Sequence, residues 1–458
     1  MILQEVIMSE EVVKLNADQD NAIQVMHGFL SSSTERFMVL EGAGGTGKTF
    51  VIKHFVRTLH DYHKTRKLLG MKGKTNLPIH FTATTNKACE AMEIQLRGLN
   101  ASVTGGDDIE MNPEVKTIHS FLGLTMAPDP KNPRRDVLAD RDWQFNAGKC
   151  ILIIDEASYI DEELFDWIKQ KTSKETKVIF VGDPAQLTNG SSKRLPAFES
   201  GFRKAELHIV ERFDTNTPIF KLATELRRRI LAKDFNVPVC PIDGKHIIWL
   251  PRPDFDRLMV KDMTAEDWTF ATSKFLAYRN DRVQKYNKGL NSLSTGTREF
   301  QAGDYAVNNH YVAGKKGTGG IRTDGMVYID ALEASIEHSE PGFWVYLDGD
   351  DRRRFFMPND HKAKQKIINR LYREYEKSTD RKAGEAYLHQ MNQVKNNWVD
   401  LRPVFAQTVN KSQGSTYRRV YIDLADIGFC LDREMRMRLL YVACSRARKQ
   451  LFLTGDLN

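Results

Sequence analysis

An α/β fold, doubly wound and built twice over, is the architecture this sequence predicts, with a β insertion and a helical hairpin set into its second half. Three observations predict it. Short apolar runs alternate with helix patterns up to about residue 215. The alternation resumes after Phe213. A glycine-punctuated stretch and then a polar helical stretch interrupt that second set. With 458 residues the chain holds about three domains' worth of polypeptide at roughly 150 residues each.

The first set has four buried-type strands: Phe37–Glu41, Pro78–Ala83, Cys150–Ile154 and Lys177–Val181. Helices are expected from Lys48 and over Asn86–Arg97. Between Phe121 and Lys149 the connection is too long for a compact domain. Its Pro-rich basic middle, Pro128–Arg135, reads as a turn flanked by Gly123–Met126 and Asp136–Ala139, a short hairpin. The second set has candidate strands at Thr269–Thr272, Pro403–Ala406, Arg419–Leu424 and Gln450–Leu453. Its candidate helices are Pro218–Leu231, Asn280–Leu290 and Arg433–Tyr441. Thr295–Pro358 alternates around Gly303, Gly325, Gly342 and Gly349, predicting a small inserted β-barrel. Asn359–Trp398 predicts a helical hairpin turning at Ser378–Lys382. One face carries Ile367, Ile368, Leu371, Tyr372 and Tyr375, the other Tyr387, Leu388, Met391 and Val394, with the tyrosines expected in the core. The domains implied are 1–215, then 216–297 with 401–458, the insertion 298–358 and the hairpin 359–400.

Composition narrows the function classes. Lys plus Arg number 67 against 60 Asp plus Glu, and residues 401–458 hold ten basic and five acidic ones, so most of the excess sits in one eighth of the chain. That distribution suits a polyanionic partner such as nucleic acid better than a membrane. No apolar stretch approaches the roughly 18 residues of a membrane span. The start, MILQEVIMSEEVVK, lacks the marks of an export signal, so a cytoplasmic protein is expected. The five cysteines form no CxxC pair and no HExxH occurs; reduced thiols and no structural metal are expected.

Three segments carry chemistry. Gly42–Thr49 reads G-A-G-G-T-G-K-T between a strand and a helix, a P-loop. Its glycines (Gly42, Gly44, Gly45, Gly47) and Thr46 let backbone N–H groups curl around phosphate, Lys48 reaches the β and γ phosphates, and Thr49 can hold Mg²⁺. The strand Ile151–Ile154 ends in Asp155 and Glu156; carboxylates there face the ligand crevice, Asp155 for Mg²⁺ and Glu156 to activate water. Val181–Leu187 (VGDPAQL) ends another strand beside that crevice and offers Gln186 to the γ-phosphate.

In this order these segments resemble the superfamily 1 helicases, and the likeness runs along the chain. Leu15–Ala22 is similar to the Q motif, with Gln19 reading the adenine edge. Thr82–Ala88 resembles motif Ia, Thr117–Ser120 motif Ib, and Arg212 in LHIVERFD the motif IV arginine. Tyr278–Asn287 resembles the element that carries an Asn towards DNA. Phe405–Thr416 resembles motif V, whose Gly414 joins the nucleotide contacts, and Leu440–Arg448 motif VI, with Arg446 as arginine finger. The GDPAQ segment continues with Leu187 and Thr188 rather than S-I-Y, and little room is left for large insertions. The chain therefore resembles the 5′→3′ branch, superfamily 1B, and most closely the small phage Dda-like helicases related to RecD. One position departs: Asn410 stands where motif V usually has His, and Asn cannot become cationic.

The resemblance implies two RecA-like motor domains binding ATP and Mg²⁺, with the inserted barrel and hairpin (tower) as accessory elements. Single-stranded DNA would touch Thr84, Asn86, His119, Asn280, Thr408, Asn410 and Lys411, without sequence preference. It also implies a hairpin wedge, or pin, within 121–149, for which Trp143 and Phe145 are the candidate stacking residues, with anchoring of the hairpin's base on the domain core as their alternative role. Partners would be single strands and single/double-strand junctions, with replication or recombination proteins in addition, and the enzyme a monomer. Three other readings stay open: a translocase that strips bound proteins, a nucleotide-gated clamp without turnover, and an RNA helicase.

Overall fold

The computed structural model describes residues 15–68, 77–103, 111–129, 132–140, 144–189, 194–211, 215–295, 300–313, 320–360 and 362–457. The chain divides into two compact units at residue 214/215, with Thr85–Glu90 and Ala185–Leu187 grouping with the second.

The first unit runs α1 (Ala17–Ser31), β1 (Phe37–Gly42), α2 (Lys48–Leu68), β2 (Ile79–Ala83), α3 (Asn86–Val103), β3 (Met111–Thr117) and the one-turn α4 (Ile118–Phe121). There follow β4 (Leu124–Asp129), β5 (Asn132–Asp140), β6 (Ile151–Asp155), α5 (Glu162–Lys171), β7 (Lys177–Gly182), the one-turn α6 (Pro196–Glu199) and β8 (Arg203–Leu207). Six strands form one parallel sheet in the order β3-β2-β6-β7-β1-β8. Both faces are covered, which is why β1, β6 and β7 are continuous apolar runs. On one face Val39, Leu152, Ile154, Val178 and Phe180 pack against Leu164, Phe165 and Ile168 of α5. The carboxyl ends of β1, β6 and β7 therefore stand at one edge of the sheet.

The four expected strands are present within a residue or so, and two more were not expected. Both are edge strands. β8 (RKAEL) is mostly exposed and charged, and β3 contains Pro113, features that edges tolerate and central strands do not. The hairpin between α4 and β6 exists as β4 and β5. Its register runs from Leu124↔Asp140 to Asp129↔Asn132, so pairing enters the segment Pro128–Arg135 that the sequence marks as turn.

The second unit contains α7 (Pro218–Leu231), β9 (Ile247–Trp249), α8 (Arg252–Met263), β10 (Ser273–Ala277), α9 (Asn280–Thr295), β11 (Tyr305–Asn308), β12 (Met326–Glu337), β13 (Glu340–Leu347) and β14 (Asp350–Pro358). Then come α10 (Ala363–Lys377), α11 (Arg381–Asn397), β15 (Leu401–Pro403), β16 (Ala406–Thr408), β17 (Tyr417–Asp423), α12 (Leu424–Gly428), α13 (Arg433–Ser445) and β18 (Ala447–Thr454). Its parallel sheet has the order β16-β10-β17-β18-β9.

Two strand assignments are corrected. Thr269–Thr272 is a turn, closed by the Thr272 N–H on the Thr269 carbonyl (2.8 Å); the strand is the wholly buried Ser273–Ala277. Pro403–Ala406 is split. Leu401–Pro403 pairs with β11, Ala406–Thr408 pairs with β10, and the chain crosses between the sheets at Val404 and Phe405.

The insertion is a five-stranded antiparallel sheet, β14-β13-β12-β11-β15, around Ile329, Val345, Leu347 and Phe355. After it α10 and α11 form the hairpin, filled by Ile367, Leu371, Met391, Val394 and Trp398. A two-helix hairpin has one buried stripe, and these residues occupy it. Tyr372 (49% exposed) and Tyr375 (38%) consequently face outward, against the expectation that they lie in the core; Tyr387 is partly buried. Tyr375 reaches across the hairpin to the bare backbone of Gly384, where a Cβ would stand 3.6 Å from its ring.

Candidate active site and nucleic-acid track

The P-loop follows β1 and opens α2. Gly45 (φ 89°) and Gly47 (φ 88°) adopt a left-handed backbone that other residues seldom take. At Gly42 the reason for glycine is contact: a Cβ there would lie 2.6 Å from Thr46 Oγ1 and 2.9 Å from the Leu207 carbonyl. At Gly44 a Cβ would meet nothing within 4 Å, so the loop is open on that side. Lys48 curls back, its Nζ donating to the carbonyls of Gly42 (2.8 Å) and Ala43 (3.1 Å), while Thr46 Oγ1 donates to Ala43 (2.9 Å). Thr49, in the first turn of α2, is half-buried. A lysine, a helix N-terminus and left-handed glycines open to one side fit a polyphosphate.

Gln19 is brought to this loop but turned inward. Its Nε2 donates to the Thr46 carbonyl (3.4 Å), and its Oε1 accepts from Asn16 N–H (3.2 Å) in the capping box of α1. A side chain at Gly47 would meet the same Nε2 at 2.7 Å. The segment that follows β8 is stapled alongside. Asp18 accepts from the His208 and Ile209 N–H groups (2.8 and 2.9 Å), which hold its carboxyl below the usual range. Glu211 N–H donates to the Gly45 carbonyl (3.1 Å), and Asn16 Nδ2 donates to the Glu211 carboxylate (2.6 Å). The segment leading to Arg212 is thus anchored on the loop; Arg212 itself lies outside the described residues.

At the end of β6 the backbone turns sharply. Glu156 has φ 54° and ψ 43°, left-handed for a residue with a Cβ, at a cost of about 1–3 kcal/mol. Its surroundings impose it: Asp155 Oδ1 accepts the Glu156 N–H (2.8 Å), and the Glu156 carbonyl takes the Thr84 hydroxyl (3.1 Å) and the Tyr159 N–H (3.1 Å). Burial raises the Asp155 carboxyl above its ordinary value, which the Lys48 charge opposes. A buried carboxylate beside the loop, with the Thr49 hydroxyl, is a donor set suited to a hard cation. Gln186, in the turn after β7, is buried.

The residues expected on DNA are placed as follows. Thr84 is engaged with the backbone of Asp155 and Glu156. Asn86 heads α3. His119 sits in α4, capped by Thr117, and burial lowers its imidazole, leaving it neutral at pH 7. Asn280 heads α9 and is exposed; the turn before it is fixed by Asp426, whose carboxylate accepts from Tyr278 N–H (2.7 Å), Arg279 N–H (3.0 Å) and Arg279 Nε (2.7 Å). Thr408 ends β16, its Oγ1 accepting from Lys411 N–H (3.4 Å); Asn410 is exposed. Lys411 Nζ is held by Asn309 Oδ1 and the Asp324 carboxylate, both at 2.7 Å. Gly414 (φ 75°) has open space around it. Arg446 is buried at the end of α13, donating to the carbonyls of Val442 (3.0 Å) and Ser415 (3.1 Å) and to Ser445 Oγ (2.8 Å).

The two stacking candidates fare differently. Trp143 lies outside the described residues. Phe145 stands edge-on to Phe121 at 5.6 Å and packs on the core of the first sheet, which favours its anchoring role over stacking on a base. Asp426, Asp324 and Asn309 are residues that the sequence reading missed. Asp426 follows a buried strand, as Asp155 does, and that signal was available.

Two domain families match this chain: the AAA domain over residues 27–191 and the UvrD-like helicase C-terminal domain over residues 403–454. A stretch of 189 residues is 29% identical to the RecBCD enzyme subunit RecD of Buchnera aphidicola subsp. Schizaphis graminum, covering 39% of this chain and 28% of that subunit. Both domain families and the RecD likeness agree with the helicase resemblance that the motifs carry. The chain is also 22% identical to the uncharacterized protein R530 of Acanthamoeba polyphaga mimivirus, over 95% of this chain and 99% of that one. Among solved structures it is similar to Pif1 helicase from Bacteroides in complex with ADP-AlF3 and single-stranded DNA (TM-score 0.47, 15% identity, 95% and 92% of the two chains). Pif1 helicase from Candida albicans is a further neighbour (TM-score 0.45, 14%, 97% and 95%). Among the described residues no helix is long and apolar enough to cross a membrane.

Proposed function

We propose that this chain is an ATP-hydrolysing superfamily 1B helicase that moves 5′→3′ along single-stranded DNA and separates duplex ahead of it, in the compact, monomeric manner of the Dda-like group. The observation that carries the reading is Glu156, held at strained dihedrals at the end of β6, next to Asp155, whose carboxyl feels the charge of the P-loop lysine Lys48. A clamp without turnover has no use for a strained carboxylate; a hydrolase does. Lys48 and the loop N–H groups hold the ATP phosphates, Glu156 orients and deprotonates the attacking water, and Gln186 and Arg212 sense the γ-phosphate. Asp155 and Thr49 would hold Mg²⁺, which when bound neutralises phosphate charge. Arg446, from motif VI, completes the site at the transition state.

Single-stranded DNA is gripped alternately by Asn86 and His119 of the first motor domain and by Asn280, Thr408, Asn410 and Lys411 of the second. Thr84, tied to the Glu156 carbonyl, links grip to chemistry. The motor domains are 1–215 and 216–297 with 401–458, the insertion is 298–358 and the tower 359–400. The β4–β5 hairpin is the wedge. Direction rests on the GDPAQ-Leu187-Thr188 segment and the short insertions.

The substrate class is tested by steady-state ATP hydrolysis with oligo-dT and with oligo-U in competition. Oligo-dT should raise turnover at least tenfold, and excess RNA should compete poorly. Stronger stimulation by RNA would assign the enzyme to RNA.

A further inference from the structure

Lys274 belongs to no motif, yet it is the second residue of β10, only 5% exposed, and it lines a cavity of about 710 Å³ in the second unit. Asn280, Thr408 and Lys411, three of the proposed DNA contacts, line the same cavity, as do Arg402 and Asp324. Of the other cations that line it, Arg402 pairs with Asp400 at 2.7 Å and Lys411 with Asp324 at 2.7 Å, while Lys87 donates to the Lys411 carbonyl at 2.7 Å. Lys274 has no acid within ion-pair distance among the described residues. Its ammonium donates to the Val404 carbonyl, where the chain crosses from one sheet to the other, and lies 5.4 Å from the centre of the Tyr417 ring. Burial pushes that ammonium down to about 7.

A lysine kept dry without a counter-charge is costly, and an apolar residue of the same length would suit the strand better. The crossing does not need it: the Phe275 N–H already ties the Phe405 carbonyl at 3.1 Å. What Lys274 adds is a positive charge facing a cavity bordered by the residues proposed to grip DNA. A phosphodiester is the anion such a cavity would receive, and it would supply the missing counter-charge.

We propose that Lys274 binds a backbone phosphate of the single strand where it crosses the second motor sheet. This rests on the DNA-motor reading above. The test is Lys274→Met, with oligo-dT affinity measured across a salt series and thermal unfolding measured alongside. Each phosphate contact on a single strand contributes about 0.7 to the slope of log affinity against log salt. The variant should bind more weakly at low salt, by roughly tenfold, with a slope shallower by about 0.7 and a melting temperature no lower than wild type. An unchanged slope, or a drop in melting temperature, overturns the proposal, the latter by showing that Lys274 supports the crossing. The two readings fail separately. A wild-type protein that does not bind oligo-dT removes the DNA motor itself, whereas wild-type binding with an unaltered variant slope removes only Lys274.

Discussion

Lys48→Ala is expected to reduce ATP hydrolysis by about 10³-fold or more while single-stranded DNA binding stays within a few-fold of wild type. Lys48 closes the P-loop on its own carbonyls at Gly42 and Ala43 and is the cation on which the phosphates would be received. Alanine leaves the glycine turns at Gly45 and Gly47 standing, so the loop keeps its shape and loses its charge. The second unit's proposed DNA contacts, Asn280, Thr408 and Lys411, are fixed by Asp426, by the end of β16 and by Asp324, none of which involves the loop. ATPase turnover and an oligo-dT titration on the same preparation check both halves. If DNA binding vanishes with hydrolysis, phosphate cradle and DNA track are not separate surfaces.

Arg446→Ala should lower turnover by roughly 10³–10⁵ and leave nucleotide affinity nearly intact, because a finger acts on charge that develops in the transition state. The arginine is stored, with its guanidinium bonded to Val442, Ser445 and the Ser415 carbonyl, which joins the end of α13 to the segment after Gly414. Alanine also strips the Ser415 carbonyl of a donor, at a cost of about 1–3 kcal/mol if no other replaces it. Arg446→Lys separates the two effects: it keeps a charge and a donor but lacks the planar fork, and it should fold normally while remaining slow. Single-turnover hydrolysis and fluorescent-nucleotide binding are the measurements. Normal hydrolysis by either variant would take Arg446 out of the finger role.

What was legible in the sequence is what local chemistry dictates. The P-loop and the Asp155–Glu156 pair are contiguous, and β1, β2, β6 and β7 are buried on both faces, so their residues carry the signal in place. The edge strands β3 and β8 are not so constrained and escaped notice. The partners of the site residues were harder, because they come from far along the chain: Asp426 fixes Tyr278 across 148 positions, and Asn309 holds Lys411 across 102. Direction of side chains was also hidden. Composition marks Phe145 and Tyr372 as aromatic; only packing shows that the first faces inward and the second outward. Gln19 stands beside the P-loop with its amide engaged by Thr46 and Asn16, the latter through a capping box that periodicity does not reveal.

The central claim is a motor with a direction. Strand displacement on two duplexes that differ only in whether the single-stranded tail is 5′ or 3′ tests it most directly, with ATP and excess trap strand. The account predicts efficient release from the 5′-tailed duplex and release from the 3′-tailed one no faster than without ATP. Release from the 3′ tail alone would contradict the direction, and release from neither, with DNA-stimulated hydrolysis intact, would contradict duplex separation.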